Sequence, residues 1–280
     1  MRMRLLALRT IVIALAVMLV VGAAYAQRGR WSYREGTMAP IFAPAMMPDA
    51  NFIPCRLMYR SVRAEAMGIG WETDYPYAEI NLAIRLSELT KTPVSLDERR
   101  VPHHYVVRMT DDALFNCPFT IASDVGTIGL SPVEAERLRA YLLKGGFLWV
   151  DDFWGTAAWE QWSREIAKVL PPSEYPITDM KLDDPMLRAL FEVRKIPQIT
   201  NIQFWRAVGG STTSERGADS AEVHFRAIRD RQGAVVVLMS HNTDIGDSWE
   251  REAEDPGFFY QFSPAGYAVG INVLLHAMSH

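Results

Sequence analysis

The stretch SPVEAERLRAYLLKGGFLWVDD, residues 131–152, decides the fold by the order of its signals. Ser131 with Glu134 three residues later is a capping box: the Ser hydroxyl accepts from a free amide of the first helical turn, and the Glu reaches back to the cap. Leu138, Tyr141 and Leu142 recur at helical spacing as one buried stripe. Gly145-Gly146 then ends the helix, because glycine tolerates a left-handed turn. Phe147-Leu148-Trp149-Val150 follow at once without polar alternation, the pattern of a strand buried on both faces of a parallel sheet. Asp151-Asp152 close that strand. A helix feeding straight into a doubly buried strand is one repeat of an α/β fold.

The same rhythm extends outward. A short strand centred on Leu57-Met58-Tyr59 within residues 55–62 leads to Asp74-Tyr75-Pro76, and Pro76 opens a helix that ends by Pro93. Strand patterns occur over 105–107 and 119–122, and a helix carrying Trp159, Trp162, Ile166 and Val169 stops at Pro171-Pro172. Residues 171–205 read weakly, with a short helix over 186–191 and apolar stretches near Ile199 and Phe204. A polar Gly- and Ser-rich loop spans 209–220. Residues 223–228 and 234–239 flank the turn-like Asp230-Arg231-Gln232-Gly233 as an antiparallel hairpin, and a last helix is predicted over 266–278. The expected fold is an α/β/α three-layer sandwich over residues 52–280, with a mostly parallel sheet and the strand at 147–150 in its centre. Residues 27–51, with Pro40, Pro44 and Pro48 and no sustained period, are an irregular lead-in.

The amino terminus has Arg2, Arg4 and Arg9, an apolar run over 11–21, and Ala24-Tyr25-Ala26 before Gln27. This is the pattern of a secretory signal peptide over residues 1–26, placing the mature chain in the periplasm or cell envelope. The competing reading is a retained anchor, the one route by which the chain would contact a membrane; Arg9 interrupts the span that this needs. Cleavage removes three of the 29 Lys and Arg and none of the 33 Asp and Glu, so the formal charge moves from −4 to −7. Such a balance argues against nucleic acid or anionic lipid as partner. Cys55 and Cys117 do not make a disulfide-stapled scaffold in a chain of this length, and the reading leans slightly against a bridge between them.

On a parallel sheet, ligands bind outside the carboxyl ends of the strands. There the sequence places Asp74, Ser123-Asp124, Asp151-Asp152 and His241-Asn242-Thr243-Asp244. If these strands run together, Asp74, Asp124, Asn242 and Asp244 become binding candidates, and Asp151, Asp152 and His241 become acid–base candidates. The cluster suits a hard divalent cation or an acid and a base. Against this stands the preference of Asp and Asn for caps and turns. His103-His104 reads as a loop pair, since neighbours on an extended chain face opposite ways. His224 reads as a structural histidine. No phosphate loop, dinucleotide fingerprint or serine nucleophile elbow is present in the sequence.

Four segments, Trp71 to Pro76 (WETDYP), Gly145 to Asp152 (GGFLWVDD), Thr213 to Gly217 (TSERG) and His241 to Ile245 (HNTDI), together resemble the domain-of-unknown-function family 4159 over roughly residues 52–280. The resemblance implies a class I glutamine amidotransferase-like fold with flavodoxin-like topology, and no established activity. It also implies a protein partner in a MoxR-type ATPase or von Willebrand-type system. True amidotransferases carry a nucleophilic Cys on the turn after the strand matching 147–150. Here that turn is Asp151-Asp152-Phe153-Trp154-Gly155, and His241 stands near the family group's later His by fold analogy alone. The functional expectation is a non-catalytic binding or assembly module of the cell envelope. The alternative is a hydrolase of an envelope polymer or small amide that uses Asp151, Asp152 and His241, with or without a divalent metal.

Overall fold

A computed structural model describes residues 39–279, so the secretory signal expected over residues 1–26 lies outside the described residues. Its seven-stranded sheet has the order β3-β1-β4-β6-β9-β8-β7. These strands are β1 (Cys55–Met58), β3 (Tyr105–Arg108), β4 (Phe119–Ser123), β6 (Phe147–Phe153), β7 (Ile177–Asp179), β8 (His224–Arg229) and β9 (Val235–His241); β2 (Arg60–Ser61) and β5 (Ile128–Gly129) pair apart from it. The pairs β1 with β3, β1 with β4, β4 with β6 and β6 with β9 are all parallel. Taken in chain order, these five strands lie second, first, third, fourth, fifth, the flavodoxin-like arrangement. The hairpin β8-β9 is antiparallel, as is β7 on β8. The reversal therefore falls after β9, which still ends on the same rim as β6.

Helices cover both faces. On one side lie α1 (Tyr77–Thr90) and α6 (Pro256–Ser279), and on the other α2 (Pro132–Leu143) and α3 (Gly155–Val169). The capping box is present, with the Glu134 amide donating to Ser131 Oγ and the Ser131 amide to Glu134 Oε2. Gly145 takes φ +96°, where a side chain would strain the turn. Phe147, Leu148, Trp149 and Val150 are all buried, alternating between the two cores: Phe147 and Trp149 face α1 and α6, Leu148 and Val150 face α2 and α3. The doubly buried central strand expected from the sequence is thus observed.

Several boundaries differ from the sequence reading. The first strand stops at Met58, with Arg60–Ser61 turning out to pair β5, and Pro76 is the cap before α1, in a cis peptide with Tyr75. The helix expected over 186–191 is a 3-10 turn, Pro185–Arg188, while Phe204 belongs to a short helix α4 (Ile202–Ala207), and a one-turn helix α5 (Asp247–Glu250) follows β9. The last helix starts ten residues earlier than expected and contains Pro264. Within 27–51, the segment around Phe42 pairs alongside the outer strand β3, where Val106 donates to Ile41 O and Ala43 to Val106 O, shielding an edge that would otherwise be open.

The leaning against a disulfide is corrected: Cys55 and Cys117 are bonded, with Cα atoms 6.1 Å apart, and no described cysteine is free. Cys55 opens β1 and Cys117 precedes β4, and these two strands are neighbours. Adjacency in the sheet, invisible in their spacing of 62 residues, brings them together. No helix among the described residues is long and apolar enough to cross a membrane.

Candidate functional site

In this strand order the chain leaves β1 toward one edge and returns across it to β4, and the crevice at the carboxyl ends there is where such sheets bind ligands. Four residues on this rim take left-handed backbone: Asp74 (φ 67°), Asp124 (φ 52°), Asp152 (φ 53°) and Asn242 (φ 62°). Asp and Asn are the side-chain-bearing residues that best tolerate this region. Their backbone role therefore explains the residue type, and the disposition of the side chains must be weighed separately.

Asp74 is 1% exposed; its Oδ2 accepts from Ser123 Oγ at 2.8 Å, and its Oδ1 has no hydrogen-bond partner. Asp244, also 1% exposed, accepts the Asp247 amide on Oδ1 at 2.8 Å and leaves Oδ2 without a partner. Asp152 is half-buried and accepts from Trp154 Nε1 at 2.8 Å. Each of these three carboxylates offers an oxygen, and the three oxygens lie within 4.8 Å of one another. Asp151 is fully buried, with Oδ2 on the Gly246 amide at 2.7 Å. Gly246 must be small here, since a Cβ would stand 2.7 Å from Asp74 Oδ2.

Crowded acids in a dry pocket resist ionisation. Burial, then the charges of Asp74, Glu215 and Asp124, pushes Asp152 well above the usual carboxylate range. Asp244 is raised likewise by burial and by Asp152, Asp74, Asp247 and Asp151. Burial raises Asp151 to about 7 against the opposing bonds of Ser240 and Gly246, and raises Asp124 to about 7 although it accepts the Gly70 amide. Asp74 also rises by burial, held back by Arg56.

Arg56 is the buried counter-charge beneath this rim. It is 0% exposed, donates from Nε to Glu79 Oε1 at 2.5 Å and from Nη1 to Ser123 Oγ at 2.7 Å, and so reaches Asp74 through Ser123. Sequence reasoning passed over both Arg56 and Glu79. It also gave no role to Glu215 and Arg216 of the TSERG segment. Glu215 Oε1 accepts from Thr200 Oγ1 and the Asn201 amide, while Arg216 donates to Ala66 O at 2.8 Å, and both of these last residues line a small pocket. Asp124, Asp152, Trp154, Glu215 and Arg216 line that pocket, whose volume of about 10 Å³ has room for roughly one water. A second acidic group, Asp74 with Asp247 and Glu250, has Arg251 beside it in ion pairs to Glu250 and Asp247. Roomier hollows lie elsewhere, about 330 Å³ near Phe52 and Pro118 and about 1000 Å³ beside β8; the acids lining them, Asp49, Asp179 and Glu222, are exposed.

His241 stands on the same rim but faces the other way. Its backbone pairs with Phe153, yet its ring packs against Phe153, Trp159 and His224, and Nε2 meets Gly155 O at 3.0 Å. Burial lowers it to about 4, and the charges acting on it most are His224, Arg226 and Asp219. Asn242, the binding candidate beside it, is committed to the backbone: Oδ1 accepts the Gly155 amide and Nδ2 donates to Glu222 O. The structure thus brings Asp74, Asp151, Asp152 and Asp244 together, sets Asp124 alongside them, and turns His241 and the Asn242 amide to other partners.

His103 and His104 are separate, on Ser95 Oγ and Tyr75 Oη respectively. Burial holds His104 at about 4, whereas an unfolded imidazole titrates near about 6.5. Between those values the unfolded chain takes a proton that the fold refuses, so this contribution to stability is complete above about pH 6.5 and is lost as pH falls toward about 4. Asp124 acts with the opposite sign, because its raised value makes the fold take up protons first as pH drops below about 7. The difference between native and His104→Gln protein isolates the histidine. Urea unfolding across this range is expected to show a flatter acid limb in the variant, and an unchanged slope would contradict the assignment.

The sequence profile of a family described as Domain of unknown function (DUF4159) matches residues 57–278. A search of curated proteins returns no match to the chain.

Proposed function

This chain belongs to the family DUF4159, and from that premise we propose that it serves in the cell envelope as a non-catalytic binding or assembly module whose binding surface is the acidic rim. The observation that carries this reading is the carboxyl end of β6 and its passage into α3. In an amidotransferase-like fold it would bear the nucleophilic Cys; here it reads Asp151-Asp152-Phe153-Trp154-Gly155, and both cysteines of the chain are joined in a buried bridge elsewhere. The nearest imidazole is bonded to a carbonyl and walled in by aromatic rings. The disulfide supports export, because such bonds persist in oxidising compartments. A partner from a MoxR-type ATPase or von Willebrand-type system is consistent with a module that has a surface and no nucleophile.

A hydrolase of an envelope polymer or small amide is the second reading. It is favoured by Asp124 and Asp151, whose values of about 7 suit proton transfer at neutral pH. It requires the segments bearing Ala66 and Arg216 to part, since the present pocket admits about one water. Purified mature protein assayed on small amides and envelope polymers, with and without divalent cations, is expected to give no turnover above that of Asp152→Asn. Turnover abolished in both Asp151→Asn and Asp152→Asn would replace the module with the hydrolase.

A further inference from the structure

We propose that Asp74, Asp152 and Asp244 bind one hard divalent cation of the Ca²⁺ or Mg²⁺ type. The proposal rests on reading this rim as a binding surface and goes further by naming what it binds. Asp74 and Asp244 come after β1 and β9 and Asp152 stands at the carboxyl end of β6, so the trio exists only because these parallel strands, with β4 between β1 and β6, end on one rim. Their oxygens lie within 4.8 Å of one another. Ligand oxygens sit about 2.3–2.6 Å from Ca²⁺, so two on opposite sides of one ion are about 5 Å apart. The three oxygens are therefore close enough together to reach one ion.

The second observation is independent of the clustering. Asp74 Oδ1 and Asp244 Oδ2 are buried acceptors with no hydrogen bond, although the other oxygen of each carboxylate is tied down, by Ser123 Oγ and by the Asp247 amide. The fold therefore fixes these side chains in orientation while leaving one oxygen of each unsatisfied. A buried acceptor without a donor is costly, the more so when charged, unless something fills its place. Among the described residues no Lys, Arg or His forms an ion pair with any of the trio, whereas Arg251 stands against the neighbouring Asp247 and Glu250. The trio offers only carboxylate oxygen, with neither imidazole nor thiolate, which selects hard cations over zinc or copper. The pocket beside Asp152 has room for a water as one further ligand.

The test is calorimetric titration of chelator-treated mature protein with CaCl₂, MgCl₂ and MnCl₂ separately, with thermal unfolding read in parallel. The expected result is one saturable site and a rise in Tm with at least one cation. Asp74→Asn and Asp244→Asn should each weaken binding by more than about tenfold, since losing even a partner that merely supports a ligand costs about 10–100-fold. Asp219→Asn, whose carboxylate caps Thr156 outside the trio, should bind normally. Asp244→Asn keeps an oxygen for the Asp247 amide and removes one like charge, so without cation it should unfold no more easily than the native protein. Absence of saturable binding and of any Tm shift, or undiminished binding in both variants, would overturn the site. Cation binding accompanied by turnover would sustain the site while removing the module reading, so the two failures are distinguishable.

Discussion

Replacing both Cys55 and Cys117 by Ser is expected to lower the unfolding free energy of the protein by about 4 kcal/mol in urea titrations, with the fold retained. The bridge closes a loop of 62 residues, and chain-entropy reasoning assigns about 4 kcal/mol to a cross-link of that span through restriction of the unfolded chain. Both sulfurs are buried where β1 meets the entry to β4, so Ser would also place hydroxyls in an apolar setting. The closed loop contains α1 and Asp74, so the bridge steadies one wall of the acidic rim as well as the sheet. A double variant within about 1 kcal/mol of the native protein would show that the bridge does not restrain the chain in this way.

Arg56→Met should cost a comparable amount, about 3–5 kcal/mol, the usual consequence of removing one member of a buried ion pair. Burial works against the Arg56 charge, but Glu79 and then Asp74 more than offset it and hold the guanidinium protonated. Without it, Glu79 is left buried without its ion-pair partner, and Asp74 loses the nearby charge that favours its ionised form. Removing the abandoned acid as well, in Arg56→Met with Glu79→Leu, is expected to recover a large part of the loss, because a well-packed apolar pair can replace a buried salt bridge. Denaturant unfolding of the single and double variants reads both numbers. Equal losses in the two would mean that Arg56 acts through packing and not through charge.

The parts of this fold set by local signals were legible in the sequence. The capping box at Ser131, the Gly145 turn and the unbroken apolar run 147–150 each depend on neighbours a few residues away, and each has the expected structure. The rim acids were legible too, because standing at the carboxyl end of a strand or just beyond it is itself a local property. Facing direction was not. Asp151 shares a sheet face with Trp149 and Ser240, whose Nε1–Oγ bond of 2.6 Å links β6 to β9 on that side, so His241, one residue further, faces the opposite side. That parity depends on the register between strands about 90 residues apart, which no local pattern encodes. Arg56 escaped notice for a similar reason: a single cation in a short strand reads as its wet face until Glu79 and Ser123, 23 and 67 residues away, are seen to meet it. The long α6 helix was shortened in the reading because Pro264 and several glycines interrupt its pattern; Pro264 has no amide to donate, a loss that the packing of Phe258, Phe262, Val269 and Val273 outweighs.

The most direct measurement is an anomalous difference map from crystals of the protein grown with Mn²⁺, an oxygen-seeking ion that scatters anomalously. The predicted result is a single strong peak among Asp74, Asp152 and Asp244, in contact with Asp74 Oδ1 and Asp244 Oδ2, the two buried oxygens that have no other partner. A map with no peak there, and with the three carboxylates hydrogen-bonded to one another through shared protons, would contradict it and leave these residues as acids held neutral by burial at the turns after their strands.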